Sequence, residues 1–363
     1  MKRISRIRFE AFVAYTRHPV SVEFGEEVAW YSDDQERFLG VIVRDLTDDD
    51  FGPIVLARDV DGRFRGVDLE SSFATQAAAK RRLSELLRAR EESGKSVIPQ
   101  ENGKPRRIDL FAPMAPLEEL NPRFVSVLRE PGYSPALGIM REMAFHFRDP
   151  DGNFVQQFQT DGFDARLWEL YLFGFLTESG FLLDRSHNSP DFVAVKWDET
   201  VCIEAVTVNP TTKSVISPPQ DAASFMNDYM PMKFGSPLSS KLKKEYWKLP
   251  HVQGHPFVLA IEDFHQEGSM TWTSTALTTY LYGYRHTWKR ADDGSLIVIP
   301  QQVRVHKVGD KEVPSGFFFQ AGTEHVSAVM FSNSATHRQI QQDGVLGWLW
   351  FAHPANHPIR HLH

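Results

Sequence analysis

The sequence predicts an α/β protein of more than one domain, with a mixed central region between two β-rich flanks. Three observations carry this expectation. The 363 residues exceed the roughly 100–200 of an ordinary single domain. From about residue 164 to residue 290, helix-type and strand-type patterns alternate. On either side, short strand-like runs separated by turn residues dominate.

The first region, residues 1–112, offers strands at Val28–Tyr31, Phe38–Arg44, Ile54–Asp59 and Phe64–Leu69. Asp61-Gly62 between the last two is a hairpin signal, because glycine supplies the positive φ that such turns need. Consecutive strands this close together predict an antiparallel meander. A helix follows over about Ser72–Arg90, carrying Lys80, Arg81, Arg82 and Arg88. These cations read first as a solvated charged helix face; the alternative is a helix that contacts nucleic-acid phosphates. Glu91–Pro105 is polar and punctuated by glycine and proline, which reads as a linker. Residues 113–163 form a helical connector, with helices near Leu117–Arg129 and Pro135–Arg148. Residues 291–363 return to strands at Ser295–Val308, Gly316–Gln320 and Val326–Ser332.

Composition narrows the functional classes. Apolar residues are 42% and aromatics 12%, enough for substantial cores, so wholesale disorder is excluded. No apolar run approaches the roughly 18 residues of a membrane-spanning helix, so no membrane partner is expected. A single cysteine, Cys202, suits a reducing compartment, and the cytoplasm is the expected location. The net charge of −7 counts against non-specific phosphate binding by the whole surface and leaves a local basic surface open. The sequence contains no Walker-type loop, dinucleotide fingerprint, Gly-x-Ser-x-Gly elbow or His-Glu-x-x-His pair, which removes several enzyme classes.

The chemistry points to residues 164–290. Arg166–Leu176 is apolar on nearly every face, as in a buried helix, yet it contains Glu169. Ser189-Pro190-Asp191 then leads into a strand, and Asp198-Glu199 makes a tight turn. A second strand follows at Val201–Val208, with Glu204 among apolar neighbours. A carboxylate there is costly unless a cation, donors or a metal meet it. Two adjacent strands would converge Asp191 and Glu204 into an oxygen-rich site suited to Mg²⁺ or Mn²⁺.

These pieces, Glu169, Pro190-Asp191 and Glu204-Ala205-Val206, resemble the PD-(D/E)xK nuclease superfamily over about 100 residues. In that family a helix carries Glu, Pro-Asp enters a strand, Glu-x-Lys lies on the next strand, and a helix follows. The resemblance implies a restriction-endonuclease-like mixed sheet flanked by helices. It also implies a metal site of Asp191, Glu204 and Glu169, the last through water, and metal-dependent hydrolysis of DNA, as in defence or mobile-element systems. The sequence departs from the family at one point: Val206 stands where the motif lysine belongs. Either a lysine arrives from elsewhere or the core is an inactive nucleic-acid-binding or protein-interaction scaffold. A helix expected over Pro237–Lys248 offers Lys241 and Lys244, with Lys248 on the same face. Lys196 is the poorer substitute, since strand alternation sets it opposite Asp191. A homodimer or a protein partner is compatible with this reading. The four histidines of the last eleven residues read as a tail, not a metal site.

Overall fold

The computed structural model describes residues 1–99, 108–149, 151–210 and 218–332, and the backbone of Trp348–Ala352. It is mixed α/β and divides into two compact units, in place of the four expected segments. One comprises Met1–Thr160 with Leu172–Leu182, the other Asp161–Tyr171 with Leu183–His363. No helix among the described residues is long and apolar enough to cross a membrane.

In the first unit, β1 (Lys2–Arg3), β2 (Gly25–Ser32), β3 (Phe38–Asp45), β4 (Phe51–Asp59) and β5 (Phe64–Leu69) lie side by side in chain order, all antiparallel. The expected meander is thus present, slightly longer at its strand ends. Its Asp61-Gly62 turn is closed by Asp59, whose carboxylate accepts the backbone N–H of Asp61 and Arg63 while Gly62 takes φ 88°. Helices α1 (Arg6–Val13) and α2 (Ser21–Phe24) fill the early part of the chain. Helix α3 (Gln76–Ser93) is capped by the Thr75 hydroxyl and stopped by Gly94 at φ 67°. It starts later and ends later than the sequence suggests. Ala79, Leu83 and Leu87, spaced by four, bury against Phe38, Ile42 and Val55 of the meander. Part of the expected linker is a short strand, β6 (Val97–Ile98), parallel to β4; residues 100–107 lie outside the described residues. The connector is helical as expected: α4 (Pro122–Arg129), α5 (Ser134–His146) and α6 (Phe154–Gln159).

Helix α7 (Phe163–Glu178) contributes its first half to the second unit. That unit is built on a six-stranded sheet. In chain order its strands are β7 (Leu182–Asp184), β8 (Phe192–Lys196), β9 (Glu199–Val208), β10 (Phe257–Asp263), β15 (Ala328–Ser332) and β16 (Trp348–Ala352), and this is also their order across the sheet. β8 and β9 form an antiparallel hairpin; β9, β10 and β15 are parallel; β16 is antiparallel to β15. All seven residues of β10 are buried, as befits an inner strand of a sheet covered on both faces. Trp168 on α7 is fully buried and donates its indole N–H to Ala260 O at 2.9 Å, tying α7 to β10. A helical stretch begins at α8 (Ala222–Ser224), passes through one π turn at Phe225–Tyr229 and continues as α9 (Met230–Leu242). After β10 come α10 (Ser274–Tyr282) and two separate hairpins, β11 (Tyr284–Arg290) with β12 (Leu296–Gln302), and β13 (Val305–Val308) with β14 (Lys311–Pro314).

Three expectations are corrected here. Residues 291–363 are not an appended extension, because β15 from that segment is an inner strand beside β10. Ser295–Val308 is two strands in different hairpins. Gly316–Gln320 forms a 3-10 turn at Phe317–Phe319, with Phe317 and Phe318 buried. Clustered apolar residues mark burial, and without a clear period they do not choose between strand and turn. The histidine-rich C-terminal stretch lies outside the described residues.

Candidate active site

Asp191 and Glu204 come together in the second unit. Ser189-Pro190 is a cis peptide, and Asp191 directly precedes β8. In the β8–β9 register Phe192 faces Ile203, which brings Asp191 beside Glu204. Each residue ties down the other's strand. The Asp191 backbone N–H donates to Glu204 Oε2 at 3.1 Å, and the Ala205 backbone N–H donates to Asp191 Oδ2 at 2.8 Å. Glu204 is buried on β9, whereas Asp191 keeps part of its surface open.

The other Glu204 oxygen, Oε1, receives two donors. One is the Lys241 ammonium, from the last turn of α9; the other is the Tyr246 hydroxyl at 2.8 Å. The sequence left Lys241 and Lys244 as equal candidates on one helix face. The structure separates them. The helix is displaced from the expected Pro237–Lys248: it starts before Pro237 and ends at Leu242. Lys244 falls in the turn beyond it and is exposed, and Lys248 is taken up by Glu245 at 2.7 Å. Glu245 adopts φ 50°, which ends any continuation of the helix.

Glu169 stands on α7, buried, with the Arg166 guanidinium on its Oε1 three residues earlier. It does not join Asp191 and Glu204 as a third direct ligand. Among the described residues, the set of three acidic groups with ligand atoms within 4.8 Å of one another is Asp45, Asp48 and Asp50, in the β3–β4 turn of the first unit. Glu169 acts at longer range. Burial holds the Asp191 carboxyl well above the ordinary Asp value, and the charges of Glu204 and Glu169 push it further in that direction; Lys241 opposes them. Burial likewise raises Glu169, against the pull of Arg166 and Arg185. The Tyr246 phenol is pushed upward by burial and by Glu204, so it stays a neutral donor. Cys202, on β9, is raised to about 11 by burial and remains an unreactive thiol.

These shifts make a prediction about the protein without metal. A carboxyl whose folded pKa is raised contributes stability in full below its unfolded value, near 4 for Asp. That contribution is lost as pH rises through the folded value. Asp191→Asn removes the repelled charge and keeps an acceptor for the Ala205 N–H. In EDTA the variant is expected to melt at least ~2–4 °C above the parent at pH 8, and no higher than the parent near pH 4. Melting curves across pH test this, and an unchanged difference between the two pH values would count against the cause given.

The remaining sequence candidates are dispersed. Arg82 is not free for a phosphate, because it is held by Glu70 at 2.8 Å and Glu85 at 2.8 Å. Lys80, Arg81 and Arg88 are exposed on α3, in the first unit. Asp263, an acidic residue at the end of β10 outside those candidates, serves its own loop. It accepts from the Thr273 hydroxyl at 2.8 Å and pairs with His265 Nδ1 at 2.8 Å.

Four residues at the site escaped the sequence reading. Arg166 had a signal, its i,i+3 spacing to Glu169. Arg185 and Tyr246 had none: Arg185 acts on Glu169 through its charge from the connection between β7 and β8, and Tyr246 reaches Glu204 from 42 residues away. His251, which bonds to Ser189 O at 2.8 Å beside the Pro190-Asp191 step, had none either.

The arrangement is a pair of converged carboxylates, one part-open, with a lysine and a neutral phenol behind one of them. The hard oxygen donors here that a divalent cation such as Mg²⁺ or Mn²⁺ would use are the Asp191 and Glu204 carboxylates, with the Lys241 ammonium already on Glu204 and the Arg166 guanidinium on Glu169. Compared with known protein families, curated proteins and solved structures, the chain matches none.

Proposed function

We propose that the second unit is a PD-(D/E)xK-type nuclease core that hydrolyses phosphodiester bonds of DNA with Mg²⁺ or Mn²⁺. The observation that carries the reading is the Lys241 ammonium on Glu204. The family's motif puts a lysine two residues after this carboxylate, where Val206 stands; here a cation reaches the same carboxylate from the following helix. The element order supports it too: a helix with Glu169, Pro190-Asp191 at a strand, Glu204 on the hairpin partner, then α9 and the parallel strand β10.

In this reading Asp191 and Glu204 hold the ion. When bound, it supplies Lewis-acid polarisation of a phosphate and a water of lowered pKa. Lys241 stabilises negative charge that develops on the phosphate oxygens. Tyr246 and the Asp191 N–H hold the Glu204 carboxylate in place beside Asp191. Glu169, held by Arg166, adds negative potential that favours a cation.

One observation favours the alternative, an inactive nuclease-like scaffold for nucleic acid or protein. Both Glu204 oxygens are already engaged by protein donors. An ion would have to displace or share them.

The test is cleavage of supercoiled, linear and single-stranded DNA and of RNA, in Mg²⁺, Mn²⁺ and EDTA, beside Asp191→Ala. Metal-dependent cutting lost in the variant is the expected result. A folded parent protein that cuts nothing refutes turnover and leaves the scaffold reading.

A further inference from the structure

The hairpin of β11 and β12 is unlike the rest of the second unit. Its seven residue pairs run from Tyr284↔Gln302 to Arg290↔Leu296, and among the described residues it joins no other sheet. All but Arg285 of its fourteen strand residues are exposed. A lone two-stranded ribbon is marginal in water. This one nonetheless has a well-formed turn: Gly294 takes φ 83°, Asp293 accepts the Ser295 N–H at 2.9 Å, and Ala291 donates to Ser295 O at 2.9 Å.

Cross-strand partners share a face, so the register sorts the side chains. One face carries Arg285, Thr287 and Lys289, with Gln301, Ile299 and Ile297 opposite them; Arg285 bonds to Gln301 across it at 3.1 Å. The other face carries Tyr284, His286, Trp288 and Arg290 with Gln302, Pro300, Val298 and Leu296. Its apolar members are unusually open: Trp288 67%, Leu296 57%, Val298 55% and Tyr284 44% exposed. Those four residues leave roughly 450 Å² of accessible surface in one strip, most of it apolar, a size at which an exposed patch is often functional.

The edges are guarded against strand addition. Val303 donates to Gly283 O and Ala291 to Ser295 O, so by alternation His286↔Pro300 is a non-hydrogen-bonded pair. The N–H that Pro300 lacks is therefore one that would face the free edge of β12. The β11 edge carries Arg285, Lys289 and Arg290. Two copies of β11 pairing antiparallel through their centre would set Arg285 opposite Lys289, which is unfavourable. What stays available is the apolar face.

We propose that this face packs against the same face of a second copy of the chain, making a two-fold homodimer. Face-to-face packing at about 10 Å, with Trp288 of each copy near the axis and against Val298 of the other, covers the strip twice. With Pro300 and His286 included, the pair buries about 1,000 Å² or slightly more, the lower limit for a specific interface. The contact leaves Arg285 and Lys289 on the outward face. The inference is independent of nuclease activity.

The experiment is sedimentation velocity of the full chain across the micromolar range, for the parent, Trp288→Ser, Val298→Asp and the double variant Arg285→Glu/Lys289→Glu. Circular dichroism and melting confirm folding, which substitutions at exposed Trp288, Val298 and Lys289 and at half-buried Arg285 should leave unchanged. A concentration-dependent dimer in the parent and in the double variant, with at least a tenfold weaker dimer in Trp288→Ser and Val298→Asp, is the expected result. A parent that stays monomeric overturns the proposal, as does a dimer that Val298→Asp leaves intact. A monomeric parent whose duplex-DNA affinity falls in the double variant overturns it in favour of a nucleic-acid contact.

Discussion

Glu204→Ala is expected to abolish metal-dependent cleavage and also to lower stability, by about 3–5 kcal/mol if the site does not relax. Both effects have the same origin. Glu204 accepts from the Asp191 N–H, the Lys241 ammonium and the Tyr246 hydroxyl. Removing it leaves a cation and two neutral donors without their acceptor in a largely buried place. Lys241 is about a third exposed and can turn to water, so the true cost falls toward the lower end or below it. Glu204→Gln separates the two effects. It keeps one acceptor oxygen for the Asp191 N–H, and its amide N–H can donate to the Tyr246 hydroxyl oxygen, but it removes the charge that would hold an ion. Glu204→Gln is therefore expected to melt closer to the parent than Glu204→Ala and to cleave at least ~10³-fold more slowly. Denaturant titration and single-turnover cleavage read the two quantities apart. A Glu204→Gln protein that cuts at the parent rate would remove Glu204 from the chemistry.

Lys241→Ala is expected to slow cleavage by about 10²–10³-fold, the usual cost of one lost charge-stabilising donor. Its effect on ion binding should have the opposite sign. With the ammonium gone, Glu204 loses a competing cation, and Mg²⁺ or Mn²⁺ should bind more tightly. Lys244→Ala is the internal control, since Lys244 is exposed beyond the end of α9, and it should leave both quantities within twofold. Isothermal titration with Mn²⁺ and single-turnover rates on one DNA substrate measure the pair. A Lys241→Ala protein that cuts like the parent would mean that the ammonium is a structural counter-ion only. Equal losses in the Lys241 and Lys244 variants would point to a general effect of basic charge on substrate affinity.

The alternating strands of the first unit, the Asp61-Gly62 turn and the α7–β8–β9 succession are legible from sequence. Each depends on contacts a few residues apart: a period of two, a turn residue with a required φ, a run too apolar for the surface. Asp191 and Glu204 were legible for the same reason, since a tight turn, found at Trp197-Asp198 one residue before the expected Asp198-Glu199, leaves two adjacent strands only a few registers to choose from.

What lay far apart in the chain was decided by the tertiary structure alone. β15 reaches β10 from about sixty residues away, and no local pattern names the partner of a parallel strand. Lys241 and Lys244 are equivalent on an idealised helix; they differ because α9 stops at Leu242 and packs so that its last turn faces β9. Tyr246 and Arg185 belong to the site only because the sheet brings their segments to it. Arg82 meets Glu70 because the β5–α3 connection brings the two side chains together, a pairing no helical spacing announces. Sequence periodicity determines which residues must be buried and in which local form. Which buried charge meets which counter-charge depends on register and long-range pairing, and those are properties of the assembled sheet.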